Sequence, residues 1–367
     1  MKKKIAIVLY KFFPYGGLQK DFLAISAELL SRGHAIKVFT RSWEGTIPDG
    51  LDVIQIGEIG LSNHKKNSNF VLKVFDEINK YSPEIIFGFN KMPGLDLYFA
   101  ADTCFAKHSQ NKNVLQKYTK RFKQSLDYEK HVFSEESQCQ ILLLNNNQLD
   151  DFEIAYSTPS DRMTIIPPGI DGNWNKEKGL DLQELFDIPR KDKIILFVGS
   201  DFSRKGLDRA ILGLKHLQMA NIDSSLLVIG DDSKKTFLAS IQDHSLESKI
   251  FFLGPRDDVA SFMKSADLLV HPAREEAAGN IIIEAMVSGL PSLVSKEVGF
   301  SDEVKKFKAG VVLNDSFSQD EFNQLLEEII EDENLSSIKS NITSLKNDDY
   351  FFSRSRFIAD FIEERFL

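Results

Sequence analysis

At 367 residues, with 42% hydrophobic and 27% charged side chains, the chain has an ordinary globular composition and length enough for two domains, each with its own core. Its formal net charge of −9 argues against general nucleic-acid binding. The two cysteines, Cys104 and Cys139, sit in no metal-like spacing and point to reduced thiols rather than a disulfide framework.

The chain opens on MKKK and the apolar run Ile5–Tyr10. That run is too short for the core of a secretory signal, and no small-residue cleavage site follows, so it reads as a first β-strand ended by Lys11 and Pro14. No segment approaches the roughly 18 apolar residues of a membrane-spanning helix, and a cytoplasmic location is expected. Next, Gly16-Gly17 opens a predicted helix over Leu18–Arg32. A double glycine there lets a phosphate approach the free N–H groups, or simply makes a tight strand-to-helix turn. Asp21, one turn in, reads equally as a ligand for an acceptor hydroxyl or as a solvated carboxylate. Further strands are predicted at Val53–Gly57, Glu84–Phe89, Leu97–Ala101 and Ile141–Asn145, with another at Ala35–Thr40.

Between the last two of these in chain order lies Lys107–His131, the basic region of an acidic chain. It carries Lys107, Lys112, Lys117, Lys120, Arg121, Lys123 and Lys130, interleaved with Val114, Leu115, Tyr118, Phe122 and Leu126. As a basic amphipathic helix it would lie on an anionic lipid surface; the other reading packs its apolar face on the core.

Pro167-Pro168-Gly169 and the polar stretch Asp171–Gly179 punctuate the chain and mark a domain boundary. The first domain is placed at 1–167 and the second at 168–349. A second series of strands follows: Ile194–Gly199, Leu226–Gly230, Ile250–Leu253, Leu268–His271, Ser292–Ser295 and Val311–Leu313. These are continuous apolar runs, as expected of parallel strands buried on both faces, and they alternate with helical patterns such as Leu207–Leu217. The expected fold class is therefore α/β, with two doubly wound sheets facing a central cleft that would hold the site.

Arg204 and Lys205 fall in the predicted loop between the strand ending at Gly199 and the helix beginning near Leu207. A guanidinium fork beside an ammonium suits a diphosphate; an exposed basic loop is the other reading. Further on, AREEAAGNIIIEAMVSG sets Glu276 and Glu284 eight positions apart, around Gly279. Glu276 is expected in a loop and Glu284 inside a helix opened by Asn280, whose N-terminus is ready to hold an anion. Two carboxylates so placed suit a sugar on one side and a ribose on the other, or else are an acidic loop and an ordinary amphipathic helix. The end of the chain, Tyr350–Leu367, reads as one helix with an aromatic face. The dinucleotide fingerprint G-x-G-x-x-G, the P-loop, the nucleophile elbow and metal-ligand spacings are all missing from the sequence, which disfavours a nicotinamide dehydrogenase and a resident metal. His271 reads as a structural residue at a strand end.

The segments KFFPYGGLQKDF, RSWEG, GFNKMPGLDLYFAAD, IIPPGI, VGSDFSRKGLDR and HPAREEAAG, in this order over about Ile5 to Val312, resemble the retaining glycosyltransferases of family four. Within that family these segments look like those of the lipopolysaccharide core glucosyltransferase I group. The resemblance implies the GT-B fold, two Rossmann-like domains, with an acceptor-binding first domain joined by the final helix at 350–367. It implies that Arg204 and Lys205 hold the diphosphate of UDP-glucose, that Glu284 binds the ribose and Glu276 the glucose hydroxyls, and that Ala277, Ala278, Gly279 and Asn280 approach the sugar and distal phosphate. Gly16 and Gly17 would meet the donor, and the segment Arg256 to Val259 would bracket uracil. Catalysis is expected from Glu276, Lys205, Arg204 and Asp21.

Two positions depart from the wider family, which often has Phe where this chain has Ala278 and His near Asp102, a residue that lines the sugar pocket or is structural. The implied reaction moves glucose to an inner-core heptose of lipopolysaccharide, retaining the anomeric configuration without a metal or other cofactor. The enzyme would dock through Lys112, Lys117, Lys120, Arg121 and Lys123 on the anionic inner face of the membrane. A sugar-nucleotide epimerase, a glycogen-type synthase and a non-catalytic nucleotide-sugar binding module are the competing readings.

Overall fold

The computed structural model describes residues 2–14, 16–109, 114–234, 237, 244–314 and 316–367. The chain forms two units, Met1–Gly169 with Ser353–Leu367, and Ile170–Phe352.

The first unit is built on a seven-stranded, wholly parallel sheet. Its strands are β1 (Lys4–Phe12), β2 (Ala35–Trp43), β3 (Asp52–Gln55), β4 (Ile85–Gly88), β5 (Leu97–Ala100), β6 (Gln140–Leu143) and β7 (Met163–Ile165), ordered 3-2-1-4-5-6-7. Five successive residues of β1, Ile5 to Leu9, are fully buried, because helices cover both faces of a parallel sheet. The sequence reading lacked β7. Three residues between Arg162 and Ile166-Pro167 are too few to show a period, and β7 forms by pairing at the edge of β6. On one face Phe133 stacks on Phe152 with ring centroids 3.5 Å apart.

The second unit repeats the plan with six parallel strands: β8 (Lys193–Val198), β9 (Ser224–Ile229), β10 (Ile250–Gly254), β11 (Leu268–His271), β12 (Ser292–Val294) and β13 (Gly310–Val312). Their order is 10-9-8-11-12-13. Counted within the unit this is again 3-2-1-4-5-6, so each sheet reverses direction between its first and fourth strands.

Two long predicted helices resolve into pieces. The basic region is three helices, Phe105–His108, Val114–Lys117 and Lys120–Phe133, and not one amphipathic rod. Thr119 starts the last of them by accepting the Phe122 N–H at 3.2 Å, so the rod ends at that cap. The tail is likewise a tight 3₁₀ segment, Asp349–Phe352, and a helix from Arg354 to Phe366, where one helix was expected from Tyr350. The aromatic residues before Ser353 belong to the second unit. Phe351 is buried against Phe307 there, and its carbonyl accepts the Ile170 N–H at 2.9 Å. The final helix packs on the helix Gly17–Ser31 of the first unit through buried Ile358, Ala359 and Ile362. Arg32 adds ion pairs to Asp360 and Glu363 at 2.6 and 2.8 Å.

Candidate active site

The richest chemistry stands at the carboxyl ends of β8 and β11, the neighbouring first and fourth strands of the second unit. After β8 the chain makes a left-handed turn at Asp201, with φ +58°. The Asp201 side chain accepts the Arg204 N–H, starting a one-turn helix, Phe202–Lys205. Arg204 and Lys205 are thus helical rather than in the predicted loop; a polar residue in a left-handed conformation gives no helical period to read. Gly206, at φ +82°, ends this turn and begins the helix Leu207–Met219. A Cβ on it would stand 2.1 Å from the Pro272 carbonyl oxygen, so the two loops close together only over glycine.

The segment after β11 is bolted to that turn. The Arg274 N–H donates to the Arg204 carbonyl at 2.8 Å, and the Arg274 guanidinium forks onto Asp208 at 2.8 and 2.7 Å. The Ser295 hydroxyl donates to the Ala273 carbonyl at 2.6 Å. The Glu276 backbone forms a single bridge to Val298, and its carbonyl accepts the Gly299 N–H at 3.0 Å. These bonds fix the Glu276 carboxylate against the Lys205 ammonium, 3.3 Å from Arg204 Nη1 and 4.0 Å from His271 Nε2. Arg204 also donates to the Glu275 carbonyl at 2.8 Å and to Asp201 at 2.9 Å.

Burial sets the charges. It pushes the Lys205 ammonium down to about 7, with the Arg204 charge adding to the effect and Asp201 pulling the other way. His271 is fully buried, neither ring nitrogen has a hydrogen-bond partner among the described residues, and burial followed by the Lys205 and Arg204 charges keeps it neutral. Its place beside Glu276 was not legible from a strand-end histidine alone.

Ala277 and Ala278 lead from Glu276 to Gly279, which is left-handed at φ +78° and whose Cβ would meet Val298 at 2.5 Å. Gly279 is the N-cap of the helix Asn280–Ser288, and no side chain caps that end. Its first N–H groups and partial positive charge lie on the same loop as Glu276. Glu284 is half-buried on this helix, one turn on from Asn280. Val259 opens a short helix, Val259–Met263, after β10. The Arg256 guanidinium is held by Asp258, at 2.7 Å twice, and over the Phe262 ring.

In the first unit, Gly16 caps the helix Gly17–Ser31, and the space where a Gly17 side chain would stand is open to 4 Å. Asp21 is not the solvated carboxylate that was one reading of it. Its side chain is 13% exposed and takes Arg354 Nη1 at 2.7 Å, and Arg354 donates onward to the Pro167 carbonyl at 3.0 Å. Burial lifts the Asp21 carboxyl above its ordinary range against the pull of Arg354. Asp102 is exposed just after β5, and its carbonyl accepts Gln148 Nε2 at 3.1 Å. Behind it lies a group absent from the sequence reading. Glu129 is fully buried and accepts from Lys91 Nζ, from the Phe105 and Ala106 N–H groups at 2.8 Å each, and from the Tyr156 hydroxyl at 2.8 Å.

Of the basic side chains, Lys120, Arg121 and Lys123 are exposed, Lys117 is half-buried, and Lys112 lies outside the described residues. Leu115 and Tyr118 stand beside them at 83% and 71% exposure. Among the described residues no helix is long and apolar enough to cross a membrane, and no three His, Cys, Asp or Glu side chains gather as a metal site.

Residues 181–343 match the family described as glycosyl transferases group 1. The chain is 37% identical over 330 residues to the lipopolysaccharide glucosyltransferase WaaG of Escherichia coli K12, covering 88% of each protein. The crystal structure of WaaG, a glycosyltransferase involved in lipopolysaccharide biosynthesis, superposes with a TM-score of 0.89 at 34% identity, over 98% of this chain and 99% of that one. HepE from Anabaena, solved in complex with UDP-glucose, shares the fold at a TM-score of 0.74 and 17% identity, over 99% of this chain and 100% of that one.

Proposed function

The chain belongs to the lipopolysaccharide glucosyltransferases within the group 1 glycosyl transferases and has their GT-B fold, and from that premise we propose that it transfers glucose from UDP-glucose to an inner-core heptose of lipopolysaccharide, with retention and without a metal ion. The observation that carries the proposal is the contact of Glu276 with both Arg204 and Lys205, at the start of a loop that ends in a helix left uncapped by any side chain.

The donor diphosphate takes the two cations and the helix N-terminus, which frees the Glu276 carboxylate for hydroxyls of the glucose. Glu284 receives the ribose, and the Arg256–Val259 backbone the uracil. As the bond from the anomeric carbon to the diphosphate oxygen breaks, negative charge grows on that oxygen. Arg204 and Lys205 stabilise it in a largely buried site, where fixed charges act strongly. The heptose hydroxyl attacks from the same face and passes its proton to the departing phosphate oxygen, so positioning replaces a dedicated base. Leu115 and Tyr118, with Lys117, Lys120, Arg121 and Lys123, form a surface of the composition that anionic lipid binds.

A transfer assay with EDTA present, offering labelled UDP-glucose, UDP-galactose and UDP-N-acetylglucosamine to heptose-terminated, Kdo-bearing lipid A, tests the reading. The expected product is an α-glucosyl heptose from UDP-glucose alone. Transfer from another donor replaces the sugar, a need for added metal removes the charge assignment, and UDP binding without transfer to this acceptor overturns the acceptor.

A further inference from the structure

A second charged cluster lies at the carboxyl ends of β1, β2 and β3, three adjacent strands of the first unit. Lys11 near the end of β1, Arg41 near the end of β2 and Lys66 in the helix Asn63–Tyr81 converge on one carboxylate, Glu58. The distances are 3.3 Å from Lys11, 3.7 Å from Arg41 and 2.5 Å from Lys66. Among the described residues Glu58 is the one carboxylate these three cations reach, and the other Arg41 partners, Asn67 at 2.5 Å and the Tyr10 carbonyl at 3.4 Å, are neutral. Arg41 is 5% exposed. Three cations, one of them buried, thus share one negative charge, and charge withdrawn from water calls for a full counter-charge. Ligands of open α/β sheets bind outside the carboxyl ends of the strands, the end at which these residues lie. The Lys11 carbonyl accepts Gln19 Nε2 at 3.1 Å from the helix opened by Gly16 and Gly17.

We propose that Lys11, Arg41 and Lys66 form a subsite for an anionic group on the acceptor, a phosphate ester or a carboxylate, and that Glu58 holds the subsite until the acceptor displaces it. This rests on the proposed transferase reading and adds a charge requirement to it. Arg41 supplies a planar fork suited to either anion, and the two lysines add mobile point charges.

The test uses the full chain with Lys11→Gln/Lys66→Gln and Glu58→Gln, kinetics varying acceptor and donor separately, and calorimetric titration with inorganic phosphate. Lys11→Gln/Lys66→Gln should raise the KM for Kdo-bearing, heptose-terminated lipid A about tenfold, with kcat and the UDP-glucose KM within about twofold. Glu58→Gln should lower that acceptor KM and tighten phosphate binding, an effect in the opposite direction that loss of a structural ion pair does not give. Acceptors with esterified carboxyls or with phosphates removed separate the two sources: the anion that matters is the one whose removal raises the wild-type KM and abolishes the penalty of the lysine variant. An unchanged acceptor KM in both variants overturns the subsite, as does a lysine penalty that persists on acceptors lacking both groups. If the wild type transfers nothing, the transferase reading fails by itself, and the phosphate titration still decides the subsite: equal affinity in wild type and Glu58→Gln removes it.

Discussion

Two sheets of the same strand order reverse direction at the same place, between first and fourth strands, and the two switch points are furnished differently. In the second unit the place holds Lys205, Arg204 and Glu276 in mutual contact at the surface of the loop cluster, above the neutral His271. In the first unit the same place holds Gly16, Gly17 and, after β4, Asn90 and Lys91. Asn90 accepts the Tyr10 N–H at 2.7 Å, and the Lys91 charge is turned inward onto buried Glu129. One switch point gathers its charges into a single cluster of the strand-end loops, and the other turns its charge inward to hold the loop around Asp102 in shape. The lesson is that a shared topology fixes where a ligand binds, while the side chains on the following loops decide whether charge there serves chemistry or architecture.

That contrast makes signed predictions. Lys205→Ala should lower kcat/KM by about 10³-fold with the unfolding midpoint nearly unchanged, measured by transfer assay and urea denaturation. A large loss of stability with normal turnover would break the comparison. Glu129→Gln should show the reverse, because it leaves Lys91 without a counter-charge in the interior. It should cost about 3–5 kcal/mol in urea unfolding while UDP affinity holds. Glu276→Gln sharpens the second half of the contrast. The Lys205 ammonium, held down to about 7 by burial and then by the Arg204 charge, loses its proton as pH rises through neutrality, and removing the carboxylate in contact with it lowers that value further. The wild type's UDP affinity should then fall as pH rises from about 6 to about 8.5, and the variant's should begin to fall at lower pH; calorimetric titration across that range reads this. The smallest effect is structural: Thr119→Ala removes the cap of the helix Lys120–Phe133 and should cost about 1 kcal/mol in thermal or urea unfolding, with donor binding unaltered.

The strands were legible because buried parallel strands are unbroken apolar runs: Leu268–His271 emerged with its bounds intact, and most others within two residues of theirs. Arg204, Lys205, Glu276 and Gly279 were legible as a set because they follow strand ends and precede helices. Partnerships over long separations were not. Asp21 and Arg354 are 333 residues apart, so the same acidic side chain reads from the sequence as a ligand or as solvated. Glu129 sat inside a region read for its lysines, and its five donors, the Cys104 thiol among them, come from three separate segments. The turn at Asp201 and the break at Ser353 depend on backbone conformation and tertiary packing, which leave no periodic trace.

The first unit is discontinuous: its last helix, Arg354–Phe366, is made after the whole of the second unit. On the ribosome, therefore, the opening sheet emerges early but lacks the surface that covers the helix Gly17–Ser31. The second unit is contiguous and is complete at Phe352, before that last helix is made. At about 5–20 residues per second, the roughly two hundred intervening residues leave the first sheet waiting on the order of ten seconds or more for Ile358, Ala359 and Ile362. Nascent-chain proteolysis should accordingly find the second unit protected before the first, although the first is synthesised earlier.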